Sequence, residues 1–200
     1  MKVETINSKI NTAILSHQFS IEDYHRLVET GILTEDDRVE LIEGMIIDMT
    51  PIGSKHASCV YYLSNTLFEK VQKRAIVAVQ NPIDLSVEQS EPEPDIALLK
   101  KREDFYRDAH PKSEDILLII EVADSSVGYD RNIKIPLYAK SLICEVWLVN
   151  LMENSLEVYR DPSSDGYHIM TRLDYTQVVS PINFPDINMP VANILLLKNT

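Results

Sequence analysis

Two early segments of the chain predict helices, the first from its capping and stop residues and the second from apolar residues at three- and four-residue steps, the period of an amphipathic helix. The first is IEDYHRLVETGIL, where Ser20 and Asp23 stand at the N-cap and N3 positions of a capping box and Gly31 marks the end. The second covers residues 54–73, with Val60, Leu63, Leu67 and Val71 at the repeating positions. Between them, RVELIEGMIIDMTPI places a Glu-Gly turn between two apolar runs, which predicts a hairpin.

The middle of the chain has the pattern of strands. AIVAVQNPIDL predicts one strand or a bent pair, and DIALL predicts another. ILLIIEVA, residues 116–123, is the most apolar strand, so we expect it at the centre of a sheet with both faces covered. EVWLVN and SLEVYR predict two further strands.

A helix is predicted between these strands, in NIKIPLYAKS. We expect it to begin close to Asn132, because Pro136 is tolerated in the first turn of a helix but kinks its interior. The proline-punctuated tail, QVVSPINFPDINMPVANIL, predicts edge strands against the core. The order of elements indicates an α/β (α+β) fold with a mixed central β-sheet flanked by helices, preceded by an N-terminal helix and hairpin extension.

The composition fits one globular domain. The 200 residues are 44% hydrophobic and 25% charged. We expect an N-terminal arm over residues 1–19 and a single domain over 20–200, with its core at about 54–161. Cys59 and Cys144 lie far apart in apolar surroundings, as buried thiols do in a reducing compartment. The chain has no secretory block in its first twenty residues and no apolar run long enough for a bilayer, so we expect a cytoplasmic protein without membrane contact.

The charge limits the classes of function. With 19 basic and 31 acidic residues the net charge is -12, which disfavours strong non-specific binding of nucleic acid but permits a local basic patch. The five glycines form neither GxGxxG nor GxxxxGK, so nucleotide-binding loops of those types are absent.

Two carboxylates stand where neighbouring strands could bring them together. Asp95 opens the DIALL strand, and Glu121 lies near the end of ILLIIEVA. Adjacent strands are about 5 Å apart, and two carboxylates at that separation repel unless a cation lies between them or one binds a proton. Two carboxylates, the backbone carbonyl of Val122 and waters would suit Mg²⁺ or Mn²⁺.

Hydrolysis at such a site also needs a positive group. Ala123, two residues after Glu121, does not supply it, and the next basic residues are Arg131 and Lys134. Lys134 shares one face of a continuous helix with the residues four before and four after it, Asp130 and Tyr138.

Simpler interpretations of these residues stay open. Asp95 is also typical of an acid at the entry of a strand, in a solvated loop. Glu121 needs a partner because an unpaired buried charge is costly, and a structural ion pair with Lys134 would satisfy it. Lys134 is equally typical of a solvated helix lysine.

Three further residues are candidates at the site: Glu40, His56 and Asp130. Glu40 and Glu43 point to opposite sides of a strand, and we prefer Glu40 as the inward one. His56, close to the Gly53 break, is also typical of a capping or surface histidine, and Asp130 of a helix cap.

The other notable side chains have structural interpretations. Residues 100–102, Lys-Lys-Arg, predict a solvated turn, with phosphate contact as the alternative. We expect an acidic surface at Asp84, Glu88, Glu91 and Glu93, and buried core positions at Tyr138 and Trp147.

Taken together, EPDI, the strand ending in EV, the D-x-x-x-K-x-x-x-Y helix and EVW resemble the PD-(D/E)XK nuclease superfamily. More closely, residues 20–161 resemble the Uma-two family of restriction-endonuclease-like bacterial proteins, whose front end is similar to RVELIEGMIIDMTPIGSKH with Glu40, Gly44 and His56. The resemblance implies a restriction-endonuclease-like core in which Asp95 and Glu121 are metal ligands. The superfamily lysine normally stands two residues after the acid, where this chain has Ala123; in the resembled family it lies on the following helix, which points to Lys134.

The resulting expectation is a Mg²⁺-dependent (or Mn²⁺-dependent) endonuclease that hydrolyses phosphodiester bonds in DNA. A homodimer is plausible because double-strand cleavage needs two sites. The alternative is a catalytically weak or inactive nuclease-fold binding or assembly module, which the acidic charge and Ala123 favour.

Overall fold

The computed structural model describes residues 17–34 and 36–197. Most of the predicted N-terminal arm, residues 1–16, lies outside the described residues. The division into an arm and one domain stays a prediction.

The N-terminal helix and hairpin form as predicted. Helix α1 (Ile21–Glu29) begins with the capping box, in which Ser20 Oγ accepts from the Asp23 N–H at 3.1 Å. Strands β1 (Val39–Ile42) and β2 (Met45–Asp48) pair antiparallel. Their turn has positive φ at Glu43 and Gly44, as a type I′ turn requires. A Cβ on Gly44 would lie 2.6 Å from the Gln18 side chain, so only glycine fits there.

A mixed six-stranded sheet is the centre of the fold, in the order β3-β4-β5-β6-β7-β8. Only β5 and β6 run parallel; the other neighbours are antiparallel. The most apolar strand, β5, is nearly completely buried, as predicted. The strands are β3 (Ala75–Val79), β4 (Ile96–Lys100), β5 (Ile116–Ala123), β6 (Glu145–Asn150), β7 (Ser155–Ser163) and β8 (Gly166–Leu173).

Two helices cover the two faces of this sheet. Helix α2 (Ser54–Val71) packs Leu63 and Leu67 against one face, around Leu118 and Trp147. The opposite face packs around Ile119 and the helix that follows β5. Because side chains alternate along a strand, Glu121 shares the second face with Ile119.

The helix after β5, which we name α3, begins earlier than predicted. It runs without interruption through Val127–Tyr129, a π-helical turn at Asp130–Lys134, and Ile135–Lys140. The start expected near Asn132 is therefore wrong by about a turn. Pro136 still lies in the first turn of an α-helical segment, but the wider π turn continues the helix on its N-terminal side.

The C-terminal third departs further from the sequence prediction. Strand β8 was not predicted, and it forms one edge of the main sheet. The tail forms no edge strand of that sheet: β9 (Val178–Val179) and β10 (Met189–Pro190) pair with each other, and α4 (Val191–Ile194) follows. Buried tail residues such as Phe184 and Met189 belong to the same apolar core as the inward residues of α2, so burial of apolar surface holds the tail against the main sheet and α2.

No helix in the described ranges is long and apolar enough to cross a membrane. Cys59 and Cys144 are free thiols, the first buried and the second half-buried.

Candidate functional site

The first two candidates, Asp95 and Glu121, meet at one edge of the sheet. Ile96 of β4 pairs with Ile120 of β5, so the residue before β4 lies beside the C-terminal end of β5. The Asp95 N–H donates to Glu121 Oε2 at 3.3 Å, and the Val122 N–H donates to Asp95 Oδ2 at 2.8 Å. The structure thus brings both carboxylates and the Val122 backbone together.

Lys134 reaches the same place from α3. Its Nζ lies 3.3 Å from Glu121 Oε1 and 3.1 Å from Glu40 Oε2, and it donates to the Glu93 carbonyl oxygen at 3.2 Å. The contact with the Glu93 carbonyl is a hydrogen bond, and the contacts with Glu121 and Glu40 are ion pairs. The Lys134 side chain is 6% exposed, so it is not a solvated helix lysine.

A tyrosine on the next turn of α3 fixes the orientation of Glu121. The Tyr138 hydroxyl donates to Glu121 Oε1 at 2.5 Å. Tyr138 is fully buried, as predicted for a core residue, but its hydroxyl belongs to the site.

Glu40 ties the N-terminal hairpin to the site. It is 2% exposed, and its carboxylate accepts from the Tyr129 hydroxyl at 2.9 Å and from the Glu93 N–H at 3.1 Å. Glu43 instead pairs with Lys140 outside the site, at 2.7 Å. The preference for Glu40 as the inward residue agrees with this geometry.

His56 is neither a surface residue nor a helix cap. It lies in the first turn of α2 with 14% of its side chain exposed, and its Nε2 is 2.9 Å from Asp95 Oδ2. Burial lowers the pKa of His56, but the hydrogen bond and charge of Asp95 raise it more, so the net shift is upward. The other ring nitrogen, Nδ1, is buried without a hydrogen-bond partner among the described residues.

Asp130 does not cap the helix. Because α3 begins at Val127, Asp130 falls inside the π turn, where it is 5% exposed and accepts from Ser126 Oγ at 2.7 Å. Burial raises the pKa of Asp130 to about 6, against the opposing charge of Lys134.

Carboxylates outnumber cations at this site. Glu40, Glu121 and Asp130 are all buried around one buried lysine, Lys134. Burial raises the pKa of Glu121 to about 8; the Lys134 charge opposes this shift and the nearby Asp95 charge adds to it. The excess of negative charge favours a bound cation.

This donor set fits a hard divalent cation. Asp95 and Glu121 present carboxylate oxygens on adjacent strands, and oxygen ligands suit Mg²⁺ or Mn²⁺. Across residues 17–34 and 36–197 no three His, Cys, Asp or Glu side chains are grouped as metal ligands. A cation here would therefore rely on the two carboxylates, a backbone carbonyl and waters.

The site opens into a cleft of about 450 Å³. All the predicted site residues line it: Glu40, His56, Asp95, Glu121, Val122, Asp130 and Lys134. The loop after β2, residues 49–53, and the loop after β5, residues 124–126, form its rim. The basic cluster at residues 100–102 is at the opposite end of β4 from Asp95, so it does not reach this cleft.

Sequence reasoning missed three residues that contact the site. Gln80 Nε2 donates to Asp95 Oδ1 at 3.2 Å, and Tyr129 and Glu93 hold Glu40. The pairing of β3 with β4 places Gln80 opposite Asp95, but the long connection between these strands gives no register signal. Tyr129 lies one residue before Asp130, in the part of α3 that was not predicted.

Two acids of the predicted acidic surface are not surface residues. Glu91 is 6% exposed and lies 2.8 Å from His25 of α1. Glu93 is half-buried in the cleft, where burial raises its pKa. The N-terminal helix and hairpin cover this segment, which the sequence alone could not show.

Comparison with known proteins agrees with this architecture. A crystal structure described as a putative nuclease belonging to DUF820 from Anabaena variabilis superposes with a TM-score of 0.68, covering 89% of this chain and 98% of that chain. At 16% sequence identity this likeness shows the shared fold. No curated protein matches the chain.

The family comparison extends over nearly the whole chain. The matching family is Uma2, described as "Putative restriction endonuclease", and the match covers residues 21–192. It includes the hairpin with Glu40, both strand carboxylates and the helix that carries Lys134. The chain belongs to the Uma2 family.

Proposed function

We propose that the protein is a metal-dependent endonuclease that hydrolyses phosphodiester bonds in DNA. The observation that carries this proposal is the meeting of Asp95, Glu121 and Lys134 in one cleft, where the Asp95 N–H and Lys134 Nζ each lie 3.3 Å from a Glu121 carboxylate oxygen. The family and the fold described above support a nuclease.

Asp95, Glu121 and the Val122 carbonyl would hold Mg²⁺ or Mn²⁺. Bound there, the cation would lower the pKa of water and neutralise charge that develops on the scissile phosphate. Within the chain, the His56 and Gln80 side chains orient the two Asp95 oxygens, and Tyr138 orients Glu121.

Lys134 would supply the fixed positive charge of the site. Glu40 and the Glu93 carbonyl hold its ammonium group beside Glu121 without exposing it to bulk water. A preorganised charge that is shielded from bulk water stabilises a developing phosphoryl charge more than a hydrated one does. This gives a physical role to a lysine that stands on a helix rather than at Ala123.

The test is cleavage of supercoiled, linear duplex and single-stranded DNA, and of RNA, with Mg²⁺ and with Mn²⁺. Asp95→Asn should reduce the rate by at least about a hundredfold, because it removes a ligand charge with little change of shape. Asp165→Asn, at an exposed turn, is the matched control and should cleave like the native protein. Equal rates for Asp95→Asn and the native protein would identify contamination and defeat the proposal.

A nuclease-fold binding or assembly module is the second candidate. The observation that favours it is that the protein itself already holds Lys134, through ion pairs with Glu40 and Glu121 and a hydrogen bond to the Glu93 carbonyl oxygen. Calorimetric titration with Mn²⁺ distinguishes the metal-dependent enzyme from the binding or assembly module. Binding that is lost in Glu121→Gln supports the enzyme, and no binding at millimolar Mn²⁺ supports the module. The cytoplasmic location and the homodimer stay predictions.

A further inference from the structure

We propose that Arg38 is a substrate-binding residue of the cleft, whose guanidinium group holds a phosphate of the DNA strand next to the phosphate that is cleaved. This inference deepens the proposed function and rests on it for the identity of the ligand. It gives Arg38 a contact with the substrate and no part in the chemical step.

Arg38 stands at the open end of the β1–β2 hairpin. Its carbonyl oxygen accepts from the Met49 N–H at 2.8 Å, which continues the pairing of the two strands by one residue. Side chains two residues apart on a strand lie on the same face, so Arg38 shares a face with Glu40, which contacts Lys134. The hairpin therefore directs Arg38 toward the cleft, and Arg38 is one of the residues that line it.

The cleft offers little positive charge that a polyanion could reach. Among the described residues, seven acids line it, but only one arginine and one lysine, Arg38 and Lys134. Lys134 is 6% exposed and is already held by Glu40 and Glu121, whereas Arg38 is exposed. Arg38 is therefore the cation of the cleft that is accessible to a phosphate outside the proposed metal site.

Arg38 also differs from the other arginines of the chain in its ion pairs. Each of the other seven lies within 3.9 Å of a carboxylate oxygen. Arg38 has no ion-pair partner among the described residues. A carboxylate partner would occupy the N–H donors with which an arginine binds phosphate, so the Arg38 donors are available to a ligand.

The chemistry and the position of Arg38 both fit a phosphate beside the metal ligands. A guanidinium group presents a planar fork of N–H donors that matches two phosphate oxygens. Burial raises the pKa of Glu93 in the cleft, and the charges of Lys134 and Arg38 oppose this rise, so the Arg38 charge acts inside the cleft. Two residues of extended strand span about 7 Å, which separates Arg38 from Glu40 along the hairpin.

The experiment is fluorescence anisotropy of a labelled DNA oligonucleotide that has a duplex and a single-stranded part, in EDTA and again with Ca²⁺ in place of Mg²⁺. At low salt, Arg38→Gln should bind at least about tenfold more weakly than the native protein, because it loses a charge-assisted contact. The slope of log K against log salt should fall by about 0.7–0.9, the contribution of one phosphate contact. Arg38→Lys keeps the charge without the paired donors, so it should bind more weakly but keep the native slope.

Arg107→Gln is the matched control. Arg107 is an exposed arginine outside the cleft, with Asp108 at 3.9 Å, so its substitution changes the net charge by the same amount. This variant should bind with the native affinity and slope. An equal loss in both variants would mean general attraction and overturn the contact at Arg38. Urea unfolding at the native midpoint in Arg38→Gln shows that weaker binding is not a folding defect.

Cleavage kinetics test which phosphate Arg38 holds. Arg38→Gln should raise KM by about tenfold and change kcat little, because a contact with a phosphate that does not react is the same in the ground state and in the transition state. A fall in kcat at unchanged KM would place Arg38 at the reacting phosphate and overturn the inference.

Failure of this inference is distinguishable from failure of the proposed function. Unchanged affinity and slope in Arg38→Gln overturn the contact, even if the native protein cleaves DNA and Asp95→Asn does not. Absence of oligonucleotide binding by the native protein, both in EDTA and with Ca²⁺, also overturns it. Binding that depends on Arg38 in a protein that cleaves nothing supports the contact and contradicts the proposed function.

Discussion

Buried carboxylates occur in two regions of the central sheet, and the two regions differ in how many cations pair with them. At the cleft, Glu121 on β5 shares one cation, Lys134, with Glu40 and Asp130. On the next two strands of the sheet, Glu145 on β6 and Glu157 on β7 are each bonded to an arginine. All of these acids are at most 5% exposed, so burial alone does not distinguish the regions.

Glu145 illustrates the fully compensated case. Its carboxylate accepts two bonds from Arg160 at 3.0 and 2.7 Å, one from Trp147 Nε1 at 2.9 Å and one from the Ile182 N–H at 2.7 Å. At Glu157, burial favours a raised pKa, but Arg131 and the Tyr159 hydroxyl lower it below its usual value. These acids join β6, β7, the tail and α3 to one another.

Compensation of charge, and not burial, distinguishes the structural acids of this protein from the acids at the cleft. Glu145 and Glu157 are satisfied by the protein, whereas Glu121 is left with a raised pKa that only a proton or a further cation would relieve. Uncompensated charge lowers stability, so it is expected where a ligand binds.

Loss of Lys134 should have the largest effect on stability. In metal-free buffer at pH 7, Lys134→Met should lower the free energy of unfolding by about 3–5 kcal/mol, because it leaves buried carboxylates without their cation. Lys140→Met, on the same helix, removes only an exposed pair with Glu43 and should change it by less than about 1 kcal/mol. Urea unfolding followed by circular dichroism measures both. A small effect of Lys134→Met would mean that Glu40 and Asp130 do not depend on the Lys134 charge.

Neutral isosteres should separate the two regions. Glu145→Gln should lower stability by about 2 kcal/mol, since it weakens the charge-assisted bonds from Arg160. Glu121→Gln in EDTA should change stability by less than about 1 kcal/mol, since a carboxyl with a pKa of about 8 is largely protonated at pH 7. If Glu121→Gln lowers stability more than Glu145→Gln does, the contrast between the cleft acids and the arginine-paired acids is wrong.

The pH dependence of stability should have a specific sign at the cleft. The folded pKa of Glu121 lies above its usual value of 4.5, so its ionisation opposes folding as pH rises from about 4.5 toward about 8. In EDTA, the stability of the native protein should therefore decline as the pH rises through this range. The stability of the Glu121→Gln variant should decline less. Thermal unfolding in a series of buffers provides the measurement, and parallel profiles would contradict the prediction.

Glu157 should show the opposite sign with a smaller effect. Its folded pKa is below 4.5, so its contribution is present above that pH and is lost as pH falls through the lower folded value. Glu157→Gln should flatten the acid limb of the stability profile by less than about 1 kcal/mol, because the Arg131 side chain is 38% exposed. If the acid limb of the Glu157→Gln variant is as steep as that of the native protein, the Glu157 carboxylate does not contribute to stability in this pH range.

Much of the site followed from the sequence because it depends on strands with strong patterns. Asp95 and Glu121 mark the ends of apolar runs, and adjacent strands leave little freedom in where those ends lie. His56 could not be placed because its partner, Asp95, is 39 residues away and only the tertiary fold joins them.

The failures have physical causes as well. Pro136 suggested a helix start, and the π turn that extends the helix beyond it leaves no pattern in the sequence. Strand β8 mixes apolar and polar residues without alternation because both of its sides are largely exposed, so no buried face imposes a period. The tail has strand-like residues, but its prolines restrict pairing and its apolar side chains pack on α2 instead.

Anomalous diffraction from crystals soaked in Mn²⁺ tests the central claim most directly. We expect one strong peak between the Asp95 and Glu121 carboxylates, lost in Glu121→Gln, and none beside Glu145 or Glu157. Soaked crystals with no peak at Asp95 and Glu121, or with the peak at the arginine-paired carboxylates, would contradict it.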